Sequence, residues 1–350
     1  MSIAHRKTDH IALCATEDVG FRGVSPLFSD VVLVHQALPE LDAVSIDTSI
    51  TMFGKTLRAP LVIAAMTGGT SDAERINREL ASIAEERGIA FGVGSQRAMH
   101  VSAGAAASYR VRDVAPNALV FGNIGVVQAR TMSTADVARL VESIDADALC
   151  IHLNPAMEMV QPEGDRDFRG CLAAIERIVK ALEKPVIVKE TGCGISYEVA
   201  VQLKSIGVRY VDVSGAGGTS WVGVETMRAR ASGDRASEST GEALWDWGIP
   251  TAASLAMVAR CDFDAVIATG GVATGVDVAK AISLGGAAAG VARPVLKALV
   301  SGGREEATRL VEQIERELRM VMLLTASGSI RDLQRAKKVI RGELRAWIGE

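Results

Sequence analysis

The sequence predicts an α/β protein of the TIM, or (β/α)8, barrel type. Three observations carry that expectation. Eight short apolar runs recur along residues 61–290, each of strand length. The runs are continuous rather than alternating, which marks strands buried on both faces of a parallel sheet. Amphipathic helical stretches separate them, and eight such alternations over ~230 residues suit a closed barrel better than an open sheet.

The strands are read, in order, at residues 61–65 (LVIAA), 89–93 (IAFGV), 118–122 (ALVFG) and 148–152 (ALCIH). They continue at 185–189 (PVIVK), 209–213 (RYVDV), 265–269 (AVIAT) and 287–290 (AAAG). Helices are expected at 73–87, 133–144, 169–182, 196–206, 251–259, 275–284 and 294–300. The first places Ile76, Leu80, Ala81, Ile83 and Ala84 on one face. The second opens with Ser133 and, three residues on, Asp136, a capping box with Asp in the usual Glu position. The gap from the sixth strand to the seventh is long, and its polar stretch 228–242 is expected as a mobile loop over the barrel mouth. Residues 1–60 form an extension before the barrel, which spans 61–300. The tail, 301–350, reads as two helices over 305–347. The whole is expected to be one domain.

Composition narrows the function. Of 350 residues, 48% are hydrophobic but only 4% aromatic, so small aliphatic side chains must fill the core. Lys and Arg number 38 against 42 Asp and Glu, a net charge of -4. With no basic excess and few rings to stack on bases, nucleic acid is disfavoured as a partner. No run of about 18 apolar residues could span a membrane. Residues 1–9 lack the apolar stretch of a signal peptide. The cysteines are Cys14, Cys150, Cys171, Cys193 and Cys261, an odd number without a C-x-x-C pair. A reducing cytoplasm follows as the expectation. Neither these nor the five histidines cluster at zinc-ligand spacing.

In a barrel, chemistry collects where strands end. Polar residues or glycines follow all eight predicted strands, which ordinary turn chemistry explains at one or two tips only. Glycines follow strands six, seven and eight at Gly215–Gly218, Gly270–Gly271 and Gly290. Bare backbone N–H groups at such tips grip phosphate, so a phosphate-bearing cofactor is expected. Lys189 ends an apolar strand, where an unpaired ammonium is costly. It could face an anionic flavin edge, act as a Schiff-base lysine, or pair with Glu190 or Asp212. Thr67 and Asn123 could bond a ring edge or cap a loop. Glu158, in a polar loop with His152, Asn154 and Glu163, could serve Mg2+ alongside water and phosphate oxygens. Arg6, Lys7 and His10, joined by Arg97, could clamp a diphosphate.

These segments together resemble the type 2, FMN-dependent isopentenyl-diphosphate delta-isomerases. The matching stretches are Arg6-Lys7-x-x-His10, AAMTGGT (64–70), GVGSQRA (92–98), Asn123-Ile124-Gly125 and HLNPAMEMVQPEGD (152–165). VIVKETGCGIS (186–196), DVSGAGGTSW (212–221) and the late glycine tips complete the match, in register from about residue 6 to residue 300. The resemblance implies interconversion of isopentenyl and dimethylallyl diphosphate with reduced FMN, Mg2+, and NADPH as reductant. The flavin would act as acid and base with no net redox change. FMN would be held by Ala65, Met66, Thr67, Gly68, Ser95, Asn123, Lys189, Ser214, Thr219, Gly270, Gly271, Ala289 and Gly290. The diphosphate would meet Arg6, Lys7, His10, Ser95, Arg97, His152 and Asn154, and Glu158 would bind the metal. A homo-oligomer, tetramer or octamer, is implied as well.

One position departs from the family pattern. Met157 stands where the family carries a glutamine that lies against the substrate. A thioether donates no hydrogen bond and accepts one only weakly. Gln161, nearby, answers to a separate position and is not an evident substitute. Three readings follow: a working isomerase; a flavoenzyme acting differently on a related prenyl diphosphate; and a non-catalytic flavin-binding paralogue. An FMN-dependent hydroxy-acid oxidase would need a His–Arg pair after strand seven, and no histidine follows His152.

Overall fold

The computed structural model describes residues 3–101 and 103–349. Eight parallel strands close into a barrel. They are β1 Leu61–Ile63, β2 Ala90–Gly92, β3 Leu119–Gly125 and β4 Ala148–Leu153. β5 Val186–Glu190, β6 Tyr210–Asp212, β7 Ala265–Thr269 and β8 Ala288–Val291 complete the ring. Closure is made by β8 on β1, with Ala289 opposite Leu61 and Val291 opposite Ile63. Every strand lies within or beside its expected run. β3 reaches furthest beyond its own, carrying Asn123 and Gly125 in the ladder to β4.

Burial on both faces explains the unbroken apolar runs. Val62, Ala90, Leu119, Phe121, Ile187 and Ile267 fill the barrel interior. A larger cluster outside it joins strands to helices. A hairpin, Ile50–Met52 paired antiparallel with Lys55–Leu57, seals the end opposite the strand tips. Its turn residues Phe53 and Gly54 both have positive φ, 50° and 79°, as a two-residue hairpin turn of the primed type requires. The Phe53 ring meets Phe121 and Tyr210 edge-on, at 6.0 and 4.7 Å.

The helix Ser71–Arg87 shows how local signals place the outer ring. Thr70 caps its N-terminus by accepting from Ala73 N, and Gly88 ends it in the left-handed region. Ile76, Leu80 and Ile83 are buried, as their spacing demands. Helix Thr134–Glu142 is capped by Ser133, whose hydroxyl accepts from Asp136 N. The Ser133 hydroxyl also reaches the Asp136 carboxylate, at 2.5 Å.

Two expectations are corrected. Residues 228–242 are not a loop. They belong to helices Trp221–Ser232 and Arg235–Leu244, separated at Gly233, which has φ 76°. Ser220 and Asp234 cap them, and Arg230 of the first pairs with Glu238 and Glu242 of the second. The stretch is polar because charge pairs stitch the two helices, not because it lacks structure. The tail also differs from two helices. Helix Arg293–Leu324 merges the expected 294–300 helix with the tail across a break at Gly303. After it come helix Ile330–Arg335, strand Lys338–Ile340 and helix Gly342–Ile348. That strand pairs antiparallel with Val31–Leu33, an element of the extension that alternation alone did not reveal.

Candidate active site

The strand tips open onto one cleft, with about 1490 Å³ of space between protein atoms, its mouth included. All eight strands contribute to it, and helix Ile3–Thr16 roofs it. β1 brings Ala65, Met66 and Thr67; β2 brings Ser95 and Arg97; β3 brings Asn123. β4 and the short helix after it bring His152, Asn154, Met157 and Glu158. β5 to β8 bring Lys189, Ser214, Thr219, Gly270 and Gly290, and the roof brings Arg6, Lys7 and His10. Three expected residues fall outside the lining. A side chain at Gly68 would run into the Tyr109 ring, and one at Gly271 would meet Pro26. Ala289 is fully buried in the β8 ladder.

One wall of the cleft gathers polar side chains and glycines from β1, β5, β6 and β7. The Thr67 hydroxyl is buried and has no hydrogen-bond partner among the described residues. Lys189 is 7% exposed, and its Nζ donates to the Glu190 carbonyl at 2.9 Å. The two carboxylates near enough to neutralise it are committed elsewhere. Glu190 accepts from the backbone N–H groups of Thr191 and Gly192 at 2.6 and 2.7 Å, and from that of Cys193. Asp212 accepts from the Thr269 hydroxyl at 3.0 Å. Burial raises the pKa of both, Glu190 to about 7. Gly270 (φ 108°) lies so close to Gly215 that a Cβ would collide with its carbonyl oxygen. Part of the glycine surplus at these tips therefore serves backbone packing between β6 and β7.

The roof is cationic and anchored. Lys7 donates to the Ser95 carbonyl at 2.8 Å and to the Tyr109 hydroxyl at 2.9 Å. Burial, with Arg6 adding repulsion, lowers its pKa to about 7. His10 Nε2 lies 2.7 Å from Glu225 Oε1, and the imidazole packs edge-on against Trp221 at 5.2 Å. Glu225 is fully buried and also accepts from Arg228 at 2.6 Å. Arg228 in turn reaches Asp9 at 3.2 Å. This chain of charges fastens helix Ile3–Thr16 to helix Trp221–Ser232.

Opposite the roof, His152 Nδ1 lies 2.9 Å from Asn123 Oδ1. Asn123 points its amide nitrogen at the Val93 carbonyl, so Oδ1 accepts and Nδ1 carries the proton. Burial, aided by Lys189 and Lys7, lowers the imidazole to about 3. The neutral ring then offers Nε2 as an acceptor. Glu158 is 7% exposed, its two oxygens accepting from Asn154 Nδ2 at 2.9 Å and Asp165 N at 2.8 Å. Asn154 Nδ2 also sits 3.9 Å from the Met157 sulfur. Among the described residues no three His, Cys, Asp or Glu side chains gather as a metal cage. Gln161, Gln128 and Trp221 line the cleft too, although no motif marked them as ligands. For Gln161 a signal existed: it lies one helical turn beyond Met157.

A closed barrel with polar and cationic residues gathered at its mouth places the chain among the FMN-dependent dehydrogenases, and residues 2–156 and 152–340 match that family. Solved structures agree on the fold. A mandelate oxidase variant carrying a monooxide FMN adduct superposes with a TM-score of 0.65 at 17% identity, covering 95% of this chain and 93% of that one. The lactate oxidase of Pediococcus acidilactici gives 0.68 at 18%, covering 92% and 88%. Sequence relatives are closer. The isopentenyl-diphosphate delta-isomerase of Methanosarcina barkeri is 48% identical over 346 residues, 99% of this chain and 94% of that protein. That of Halobacterium salinarum is also 48% identical, covering 98% and 95%. The chain belongs to the type 2 isopentenyl-diphosphate delta-isomerase family.

Proposed function

We propose that this protein interconverts isopentenyl and dimethylallyl diphosphate, with FMN in the strand-tip wall and the diphosphate under the cationic roof. The observation that carries the reading is the union of both walls in one cleft, in a chain 48% identical to an enzyme of that name. The buried, unpartnered Thr67 hydroxyl and the uncommitted charge of Lys189 fit a flavin's polar edge. Bound in its reduced form, FMN supplies the acid and base that move a proton on and off the alkene. The chain's own groups do the rest. Arg6, Lys7, His10 and Arg97 draw the diphosphate in and fix its position. His152, held in place by Asn123, presents Nε2 to the diphosphate.

The reading extends to Mg2+, with Glu158 as its one protein ligand and phosphate oxygens completing the shell, and to NADPH as the source of electrons. It also extends to a cytoplasmic homo-oligomer, a tetramer or octamer, whose roof helix completes its own cleft or a neighbour's. No helix among the described residues is long and apolar enough to cross a membrane.

Incubation with isopentenyl diphosphate, FMN, Mg2+ and NADPH without oxygen should yield dimethylallyl diphosphate with no net NADPH consumption after flavin reduction. No product at high enzyme loading overturns the isomerase reading. A second reading, a changed reaction on a related prenyl diphosphate, rests on Met157 and the apolar surface it presents. It expects candidate substrates to oxidise the bound reduced flavin anaerobically. An ordinary isomerase rate, unimproved in Met157→Gln, argues against it.

A further inference from the structure

The wall that carries Met157 also carries a buried amide with nothing to bond. Gln161 is 3% exposed and lines the cleft, and its Nε2 has no hydrogen-bond partner among the described residues. Leaving such a donor unmade costs stability, so a side chain held this way is waiting for an acceptor. The backbone around it is fully engaged. Gln161 N donates to the Met157 carbonyl at 3.0 Å, and the Gln161 carbonyl accepts from Gly164 N and Arg166 Nη2. The carboxylate on the same helix, Glu158, already accepts from Asn154 and Asp165. A second residue on the cleft lining is in the same state: Arg6 Nε is buried without a partner among the described residues. Arg6 and Gln161 also both line the neighbouring groove beneath helix Ile3–Thr16, which places them along one seam.

Two buried N–H groups, one cationic, lacking acceptors and carried by residues that line the same cleft and groove, call for an oxygen-rich anion. We propose that Gln161 is a substrate-binding residue whose amide N–H, together with Arg6 Nε, receives an oxygen of the diphosphate. It supplies from position 161 the side-chain amide that Met157 cannot offer. The inference deepens the proposed function and rests on its placing of the diphosphate under the roof.

The test uses the oxidised FMN holoprotein and inorganic diphosphate in metal-free buffer, followed by calorimetry. Gln161→Met keeps the bulk and removes the donor. Gln161→Glu keeps the shape and turns the donor into a negative charge. Diphosphate should bind roughly 10- to 100-fold more weakly to Q161M, the loss expected for a hydrogen bond to a charged group, and more weakly still to Q161E. FMN affinity, read from flavin fluorescence, should be unchanged in both. A purely structural role predicts the reverse order, with the isosteric Q161E nearest the parent, or a joint loss of FMN. Either result, or parental binding by Q161M, overturns the proposal. Turnover does not enter this readout. A parent that binds diphosphate, loses it in Q161M and yet makes no dimethylallyl diphosphate would sink the isomerase reading and leave Gln161's role standing.

Discussion

Lys7 sits where its charge is costly to the free protein and useful to the complex. Its pKa of about 7, against 10.5 unfolded, means the unfolded chain holds that proton more tightly between those values. Stability of the free protein should therefore rise with pH across that window. Ligand binding runs the other way. The ammonium form attracts the diphosphate, so affinity should be highest below about pH 7. It should then fall, by up to about tenfold per unit, as pH rises beyond it. Titrating parent and Lys7→Met with inorganic diphosphate between pH 6 and 9 isolates this dependence from the ligand's own ionisation. A parent as flat as the variant would refute it. Thr67 allows a smaller test of the flavin wall. Thr67→Val keeps the branched shape and loses the orphaned hydroxyl, which should weaken FMN about 2- to 10-fold by fluorescence titration. No change would show that the hydroxyl does not meet the flavin.

On the proposed function the diphosphate site depends on the roof helix, which brings Arg6, Lys7 and His10 to the cleft, while the flavin wall belongs to the barrel. A chain lacking residues 1–16 should keep FMN yet lose diphosphate affinity on the order of 100-fold, since several charge-assisted contacts leave together. Loss of both ligands would contradict that division, and the double variant Arg6→Met, Lys7→Met tests it without exposing the core around Cys14. Elements also show where sequence reading worked. The barrel strands were legible because two-sided burial leaves unbroken apolar runs, and helices such as Ser71–Arg87 because caps and spacing agree. The pair Trp221–Ser232 and Arg235–Leu244 was not, because its stability comes from contacts between elements. Gly241 shows this: a Cβ there would collide with Thr226 Oγ1 on the other helix. Gly241→Ala should therefore cost about 1–3 kcal/mol, read as a lower urea midpoint. An unchanged midpoint would mean that the helices separate easily. Likewise the polar and glycine residues at the tips were readable from motifs, and the cleft gathers most of them. That Glu190 spends its carboxylate on three backbone N–H groups, freeing Lys189, emerges only from the folded loop.

At the scale of the whole chain, one apolar cluster runs from Cys14 and Phe28 through the barrel helices to Leu344 and Ile348. We propose on that basis that residues 1–350 unfold as a unit. Urea transitions followed by far-ultraviolet circular dichroism, tryptophan fluorescence and flavin release should coincide. A separate early transition that releases flavin while the tail stays folded would divide the chain. The hairpin that seals the far end of the barrel belongs to the same unit, since Met52 and Leu57 pack on strand residues rather than on each other alone.

The antiparallel pair of Val31–Leu33 with Lys338–Ile340 joins segments far apart in the chain. At ribosomal rates of about 5–20 residues per second, the first strand waits roughly 15–60 s for its partner. Barrel closure waits nearly as long, because β1 is sealed only by β8. A nascent chain thus has no closed barrel until β8 is made, and no partner for Val31–Leu33 until Lys338–Ile340 follows. During that interval the unpaired edges of Leu61–Ile63 and Val31–Leu33 are the surfaces a chaperone would have to shield.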